Sequence, residues 1–254
     1  MGGAAQTLAL AHMIMATALP VRLRLLIPAV ENAIAGNAFR TSDVLIARNG
    51  LTSEIVSTDA EGRLILADAL VAACEPAGTP IDVPHSAAAD ATAAATAAAP
   101  PPPPPPPPPV GQPPAPPADA PALIVDCATL TGAQRVAMGP SIPSFWTHHD
   151  AVAARLDAAA AAADDLVWRL PLHEPYRKML GSTVADCVNC SAGGLGGAIT
   201  AALYLDQFVV AGIPWVHVDF MGWTAAASAG RPEGGEPMGL RALYGLIAER
   251  FGGK

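Results

Sequence analysis

Leu123-Ile124-Val125-Asp126-Cys127, running directly into Ala128-Thr129-Leu130-Thr131-Gly132-Ala133, is the stretch that decides the fold. Leu123, Ile124 and Val125 are apolar in succession, not in alternation, so both faces of the strand they form must be covered. That is the signature of a strand inside a parallel sheet, and the glycine- and threonine-bearing run behind it reads as a strand-to-helix loop. Outward from this point the pattern repeats. Strands are expected at 21–30, at 43–47 and 53–56 about an Asn49-Gly50 turn, at 122–127 and at 215–218. Helices are expected at 2–18, stopped by Pro20, and at 64–73, 151–163, 198–210 and 240–251. Strand and helix alternate, which predicts an α/β fold: a doubly wound, mostly parallel sheet with helices on both faces.

The chain has 254 residues, 27 of them proline, and an Ala/Pro-rich run at 76–121 contains ten consecutive prolines, Pro100–Pro109. Removing that run leaves roughly 210 residues of one continuous pattern, enough for a single well-filled core. The domain is therefore expected at 1–75 and 122–254, with 76–121 a disordered insert. Ten prolines cannot form helix or ladder and adopt polyproline II. The tract reads either as a tolerated surface insertion or as a docking site for a polyproline-binding partner of the SH3, WW or profilin type.

A net charge of −8 with no basic cluster excludes a nucleic-acid partner, which would demand Lys/Arg patches. The apolar run 8–19 carries Gln6 and His12 close by, has no basic leader and is too short to span a bilayer. It reads as a core helix, and no membrane partner is expected. Four cysteines (Cys74, Cys127, Cys187, Cys190) are too sparse for a disulfide scaffold and suggest a reducing, cytoplasmic setting. Cys187-Val188-Asn189-Cys190 has CxxC spacing, but no second pair completes a zinc site, so it is read as structural.

In sheets of this class, function sits at the carboxyl ends of strands, and two loops meet that condition. One is 128–133, where Thr129 and Thr131 offer hydroxyls and Gly132 allows close backbone approach. The other is Thr58-Asp59-Ala60-Glu61-Gly62-Arg63-Leu64. If extended, this segment points Asp59 and Glu61 the same way, as oxygen ligands for one metal centre with the Arg63 cation beside them. The alternative is that Ser57, Thr58 and Asp59 cap a helix beginning near Leu64, with Glu61 favouring its N-terminal dipole. His148-His149 reads as a surface pair and His217 as a core histidine. Gly193-Gly194-Leu195-Gly196-Gly197 is read as a flexible wall of the site, since it completes no phosphate-binding motif.

The heptapeptide TDAEGRL, followed by Ala67-Asp68-Ala69-Leu70, resembles the NTDAEGR signature of the leucyl aminopeptidase (cytosol aminopeptidase) family, with Ser57 in the usual place of Asn. Further blocks fall in family order: Met1-Gly2-Gly3-Ala4-Ala5, Val30-Glu31-Asn32 with Gly36-Asn37-Ala38, Ala128–Ala133, Trp168–Leu172, Ala185-Asp186 and Trp215–Asp219. The resemblance implies a two-metal exopeptidase that releases leucine-like N-terminal residues from peptides, assembled as a homo-hexamer. It implies Asp59 and Glu61 as ligands of two divalent ions (Zn or Mn, or Mg), and Arg63 as the residue holding a bicarbonate base. Thr129, Leu130 and Gly132 would contact the substrate. The family's other ligands, a lysine and two aspartates, fall before Met1, so the chain is expected to be an N-terminally truncated catalytic domain. The alternative is a catalytically dead member acting as an oligomer subunit or through its proline tract.

Overall fold

The computed structural model describes residues 1–32, 34–76, 78, 79, 116 and 118–253. The Ala/Pro-rich run, including Pro100–Pro109, lies almost wholly outside the described residues.

Helix α1 (Gly2–Ala16) is followed by an unpaired run from Pro20 to Asn32, then by a hairpin of β1 (Val44–Ile46) and β2 (Thr52–Glu54). Helix α2 (Glu61–Cys74) precedes β3 (Ile124–Ala128), α3 (Gly132–Met138), β4 (Ser144–Trp146), α4 (Asp150–Ala163) and β5 (Trp168–Arg169). A 3-10 turn at Glu174–Leu180 leads to β6 (Cys187–Val188), α5 (Gly197–Asp206) and β7 (Trp215–Asp219). A small hairpin, β8 (Trp223–Thr224) and β9 (Gly234–Gly235), precedes α6 (Leu240–Phe251).

The main sheet runs β3-β7-β4-β5. β3 pairs with β7 and β4 with β5 in parallel, while β4 runs antiparallel to β7. A second sheet, β1-β2-β6, joins the antiparallel hairpin to β6 through a parallel pairing, Ser53 opposite Cys187 and Glu54 opposite Val188. Alternation along β7 sorts its side chains between two layers. Val216 and Val218 enter a core with Leu10 and Ile14 of α1, Leu156 of α4 and Leu243 and Leu246 of α6. Trp215 instead joins Ile124, Leu70 of α2, and Leu203 and Leu205 of α5. Helices thus cover both faces, the doubly wound α/β arrangement. Each fully buried leucine removed from water stabilises this layout by about 1.5–3 kcal/mol.

Local chemistry explains the helix positions. The alanine-rich α4 has the best intrinsic helix former at nine of its 14 positions, and Asp164 closes it in the left-handed conformation at φ 48°, ψ 50°. The next carboxylate, Asp165, accepts from the backbone N–H groups of Gly239, Arg241 and Ala242, so it caps α6 from outside that helix. At the other end of the chain, a Cβ on Gly3 would overlap the carbonyl oxygen of Cys127. Only glycine lets α1 lie this close to β3.

One expectation fails. Residues 21–30 form no strand: apart from Val21 N–H to Leu19 O, the main chain of 21–28 makes no hydrogen bond among the described residues. A cavity of about 850 Å³ separates this run from β3, and without a partner within ladder distance no strand forms.

Candidate functional site

The Thr58–Arg63 segment is not a pleat. Thr58 and Asp59 lie in a turn, Ala60 is the residue before the first helical turn, and α2 begins at Glu61, three residues earlier than expected. Glu61 and Arg63 therefore leave a helix in different directions, Glu61 half-buried toward the loop and Arg63 buried beneath it. The capping alternative also needs correction. No side chain caps α2, and only the Glu61 half of that reading, an acidic residue in the first turn, is present.

What shapes the loop is Asn189, fully buried just past the end of β6. Its Oδ1 accepts from the backbone N–H of Val56 at 2.9 Å and of Ser57 at 3.3 Å, while its Nδ2 donates to the Ser57 carbonyl at 2.7 Å. Its own carbonyl accepts from the Arg63 guanidinium at 2.9 Å. The Nε of Arg63 is buried without a partner, and burial pushes the guanidinium below its ordinary pKa, against the opposing charges of Cys190, Tyr204, Asp219 and Glu61. Asn32, from the unpaired run, donates to Glu61 Oε2 at 2.9 Å and to the Thr58 carbonyl at 3.2 Å. Asp59 is exposed at the rim. Among the described residues, no Lys, Arg or His forms an ion pair with Asp59 or Glu61.

The second loop is fixed the same way. Asp219, the last residue of β7, accepts from Leu130 N–H at 2.7 Å, from Thr131 N–H at 3.0 Å and from the Thr131 hydroxyl at 2.6 Å. Thr131 Oγ1 in turn accepts from Gln134 N–H and caps α3. The Thr131 hydroxyl is thus committed to the scaffold and not offered to a ligand. Burial pushes the Asp219 carboxyl up from its ordinary range, and the charge of His217 with the hydrogen bonds from Thr131 and Leu130 partly opposes this. Thr129 and Gly132 remain exposed, and Leu130 is half-buried. The Thr129 methyl lies against Gly2 and Gly222, where a side chain would collide with it. A Cβ on Gly62 would sit 3.5 Å from Leu130 Cδ1, so the two loops abut.

The remaining candidates fall elsewhere. His217 is fully buried, its Nδ1 2.6 Å from Asp126 Oδ1, with its ring stacked on Trp146. It is a core histidine, as expected. His148 is half-exposed and bonds Asp206 at 2.8 Å. His148, Glu174 and Asp206 are the three metal-ligating groups clustered among the described residues, but Arg177 already bridges both carboxylates, at 2.9 and 2.6 Å. All four cysteines are free, and Cys187 and Cys190 bind nothing shared. The glycine run precedes α5, and Gly197 packs against Ala133, beside the second loop. Asn189 and Asp219 are the residues that sequence reasoning missed. Asn189 lies inside the Cys187–Cys190 spacing that reads as structural, and Asp219 ends the Trp215–Asp219 block two residues after the core histidine, with no local signal of the loop it holds.

The loop bearing Asp59 and Glu61 and the loop bearing Thr129 and Leu130 thus meet at strand ends, where domains of this α/β class carry their sites. The chain belongs to the cytosol aminopeptidase family: the family model described as "Cytosol aminopeptidase family, catalytic domain" matches residues 1–98 and 115–244. The match omits 99–114, which holds the proline run. The probable cytosol aminopeptidase of Synechococcus sp. (strain WH7803) is 38% identical over 232 residues, 91% of this chain and 38% of that protein. The 1.8 Å crystal structure of the Coxiella burnetii cytosol aminopeptidase superposes with a TM-score of 0.78 at 43% identity, covering 99% of this chain and 46% of that one. The bottromycin maturation enzyme BotP in complex with Mn superposes at 0.77 with 34% identity, covering 98% of this chain and 47% of that one. The chain spans less than half the length of the relatives it matches. No helix among the described residues is long and apolar enough to cross a membrane.

Proposed function

We propose that the chain is the part of a metal-dependent aminopeptidase that carries the Asp59/Glu61 loop and the substrate loop, releasing leucine-like N-terminal residues from peptides. The observation that carries the reading is the pair of carboxylates, Asp59 and Glu61, neither of them in an ion pair among the described residues, on a loop that abuts Leu130. Hard carboxylate oxygens suit Mn, Zn or Mg alike, and the Mn complex of BotP favours manganese by likeness. Two divalent ions, when bound, would polarise the scissile carbonyl and lower the pKa of a water. Asp59 and Glu61 would hold them, with Asn32 fixing the Glu61 carboxylate. Arg63, a buried cation with an unpartnered Nε, would hold a bicarbonate as proton acceptor. Thr129, Leu130 and Gly132 would line the place of the first residue, and their lack of charge favours small or medium apolar side chains. The names of the relatives favour a cytoplasmic setting, and the family resemblance a homo-hexamer.

Calorimetric titration with Mn²⁺ tests the site on the chain itself. Two carboxylates are part of a cage, so binding weaker than about 10⁻⁴ M is expected. Asp59→Asn and Glu61→Gln should each weaken it by about tenfold or more. Binding that survives both substitutions unchanged would remove the ion from this loop. For the reaction, leucyl peptides should be cleaved only with a free amino group. Equal turnover of N-acetylated peptides would overturn the exopeptidase reading.

A further inference from the structure

Cys190 follows Asn189 directly and is half-buried, whereas Cys74, Cys127 and Cys187 are buried. Burial pushes the thiols of those three up, and each has a polar partner. Cys74 accepts from Val210 N–H at 3.4 Å, Cys127 from the Gln6 amide at 3.7 Å, and Cys187 lies 3.5 Å from the Ser53 hydroxyl. The Cys190 thiol donates to the Ser191 carbonyl at 3.8 Å, and no donor among the described residues reaches its sulfur. Beside it stands Arg63, which is 6% exposed. Its Nη1 donates to the Asn189 carbonyl at 2.9 Å, which lays the guanidinium against the 189–190 peptide, and its Nε is buried without a partner. Burial pushes this guanidinium below its ordinary pKa, and of the charges that oppose the shift Cys190 weighs most, ahead of Tyr204, Asp219 and Glu61. A nucleophilic sulfur without a donor and a buried N–H without an acceptor thus share one corner of the fold.

We propose that Cys190 is an oxidation site, at which a hydroperoxide converts the thiol to a sulfenic acid whose oxygen accepts from Arg63 Nε. The sulfur attacks one oxygen of the peroxide, so an S–O bond forms and the O–O bond breaks. Sulfur gives up two electrons, and the leaving oxygen gains them, takes up the thiol proton and departs as water or an alcohol. Arg63 acts on both oxygens: it steadies the one on which charge develops and then holds the one left on sulfur. Cys187 does not close a disulfide on the product, because its sulfur is committed to Ser53 and to the Thr52 carbonyl. The Nε so occupied is the group assigned above to bicarbonate, and oxidation would therefore exclude that anion. Only this exclusion rests on the aminopeptidase reading; the oxidation does not.

The test treats the 254-residue chain with hydrogen peroxide in the presence of a chelator, and locates the product by dimedone labelling and peptide mass spectrometry. The rate at Cys190 is divided by its rate with iodoacetamide, whose leaving group is not an oxygen. Exposure affects both reagents, so the ratio isolates the help that Arg63 gives. It should exceed the ratio for free cysteine by about tenfold or more, the worth of one hydrogen bond to a charged group. Arg63→Lys keeps the cation but loses Nε, and should return the ratio most of the way to that of free cysteine, with its urea midpoint measured alongside. Cys190→Ser should abolish the label. The proposal is overturned if the ratio equals that of free cysteine or is unchanged in Arg63→Lys. It is also overturned if another cysteine oxidises first, or if the product is a Cys187–Cys190 disulfide.

Discussion

Asn189 has no apolar surface to bury and yet is fully enclosed, because three of its polar atoms close the Val56–Ser57 backbone and the Arg63 guanidinium around it. Asn189→Ala leaves the Val56 and Ser57 backbone groups unsatisfied, while the main-chain carbonyl that accepts from Arg63 is kept. A loss of about 2–4 kcal/mol is expected, read as a lowered urea midpoint with unchanged slope. Asn189→Asp keeps the acceptor and loses the donor, so it should fall between the two. His217 carries a pH signature. Burial alone would push its pKa down, but the charge and hydrogen bond of Asp126, with the charge of Asp219, outweigh burial and Arg63 and raise it. A cation raised on folding stabilises fully below the unfolded value of about 6.5, and the contribution is lost as pH rises through the folded value. The urea midpoint should therefore fall on going from pH 6.5 upward, and His217→Gln should flatten that fall. Asp59, Glu61 and Arg63 were legible in the sequence because they lie within five residues of one another. Asn189 and Asp219 were not, because the groups that they hold lie 132 and 89 residues away.

Elements with a long period or an unbroken apolar run were readable. The hairpin about Asn49-Gly50, α4, β3, β7 and α6 fall within a few residues of expectation, since alanine content, turn chemistry and strand burial are local properties. The seven-residue α3, the three-residue β4 and the two-residue β5 and β6 left no periodicity to detect, and they exist through tertiary pairing. Residues 21–30 have the composition of a strand and form none, because a strand is a property of two chains of backbone and not of one. The packing of α1 on β3 gives a prediction at this scale. Gly3→Ala places a methyl against the Cys127 carbonyl and the Ala128 backbone, neither of which can rotate away. A loss of about 3 kcal/mol or more is expected, at the upper end of overpacking effects, measured by denaturant unfolding.

Across the whole molecule, two sheets each hold one wall of the candidate site: β2 and β6 the acidic loop, β3 and β7 the 128–133 loop. The α/β class, with helices on both faces, was readable from the alternation of elements. The division into two sheets was not, since β6 is too short to announce a second one. The proline run lies outside the family match. Exchanging residues 99–114 for a short Gly/Ser linker should move the melting temperature by less than about 2 °C, because the entropy of closing a loop changes little with its length. A larger fall, seen by calorimetry, would mean that the run packs on the domain. The strand-end placement of Asn189 and Asp219 bears on how such a site can be diversified. Each tether grips its loop largely through main-chain atoms, which every amino acid supplies, so the loops it holds are free to change their side chains. A combinatorial library aimed at new substrates should randomise positions 58 and 129–130 while leaving 59, 61, 63, 189 and 219 fixed, since the anchors carry the shape and the loops carry the vocabulary.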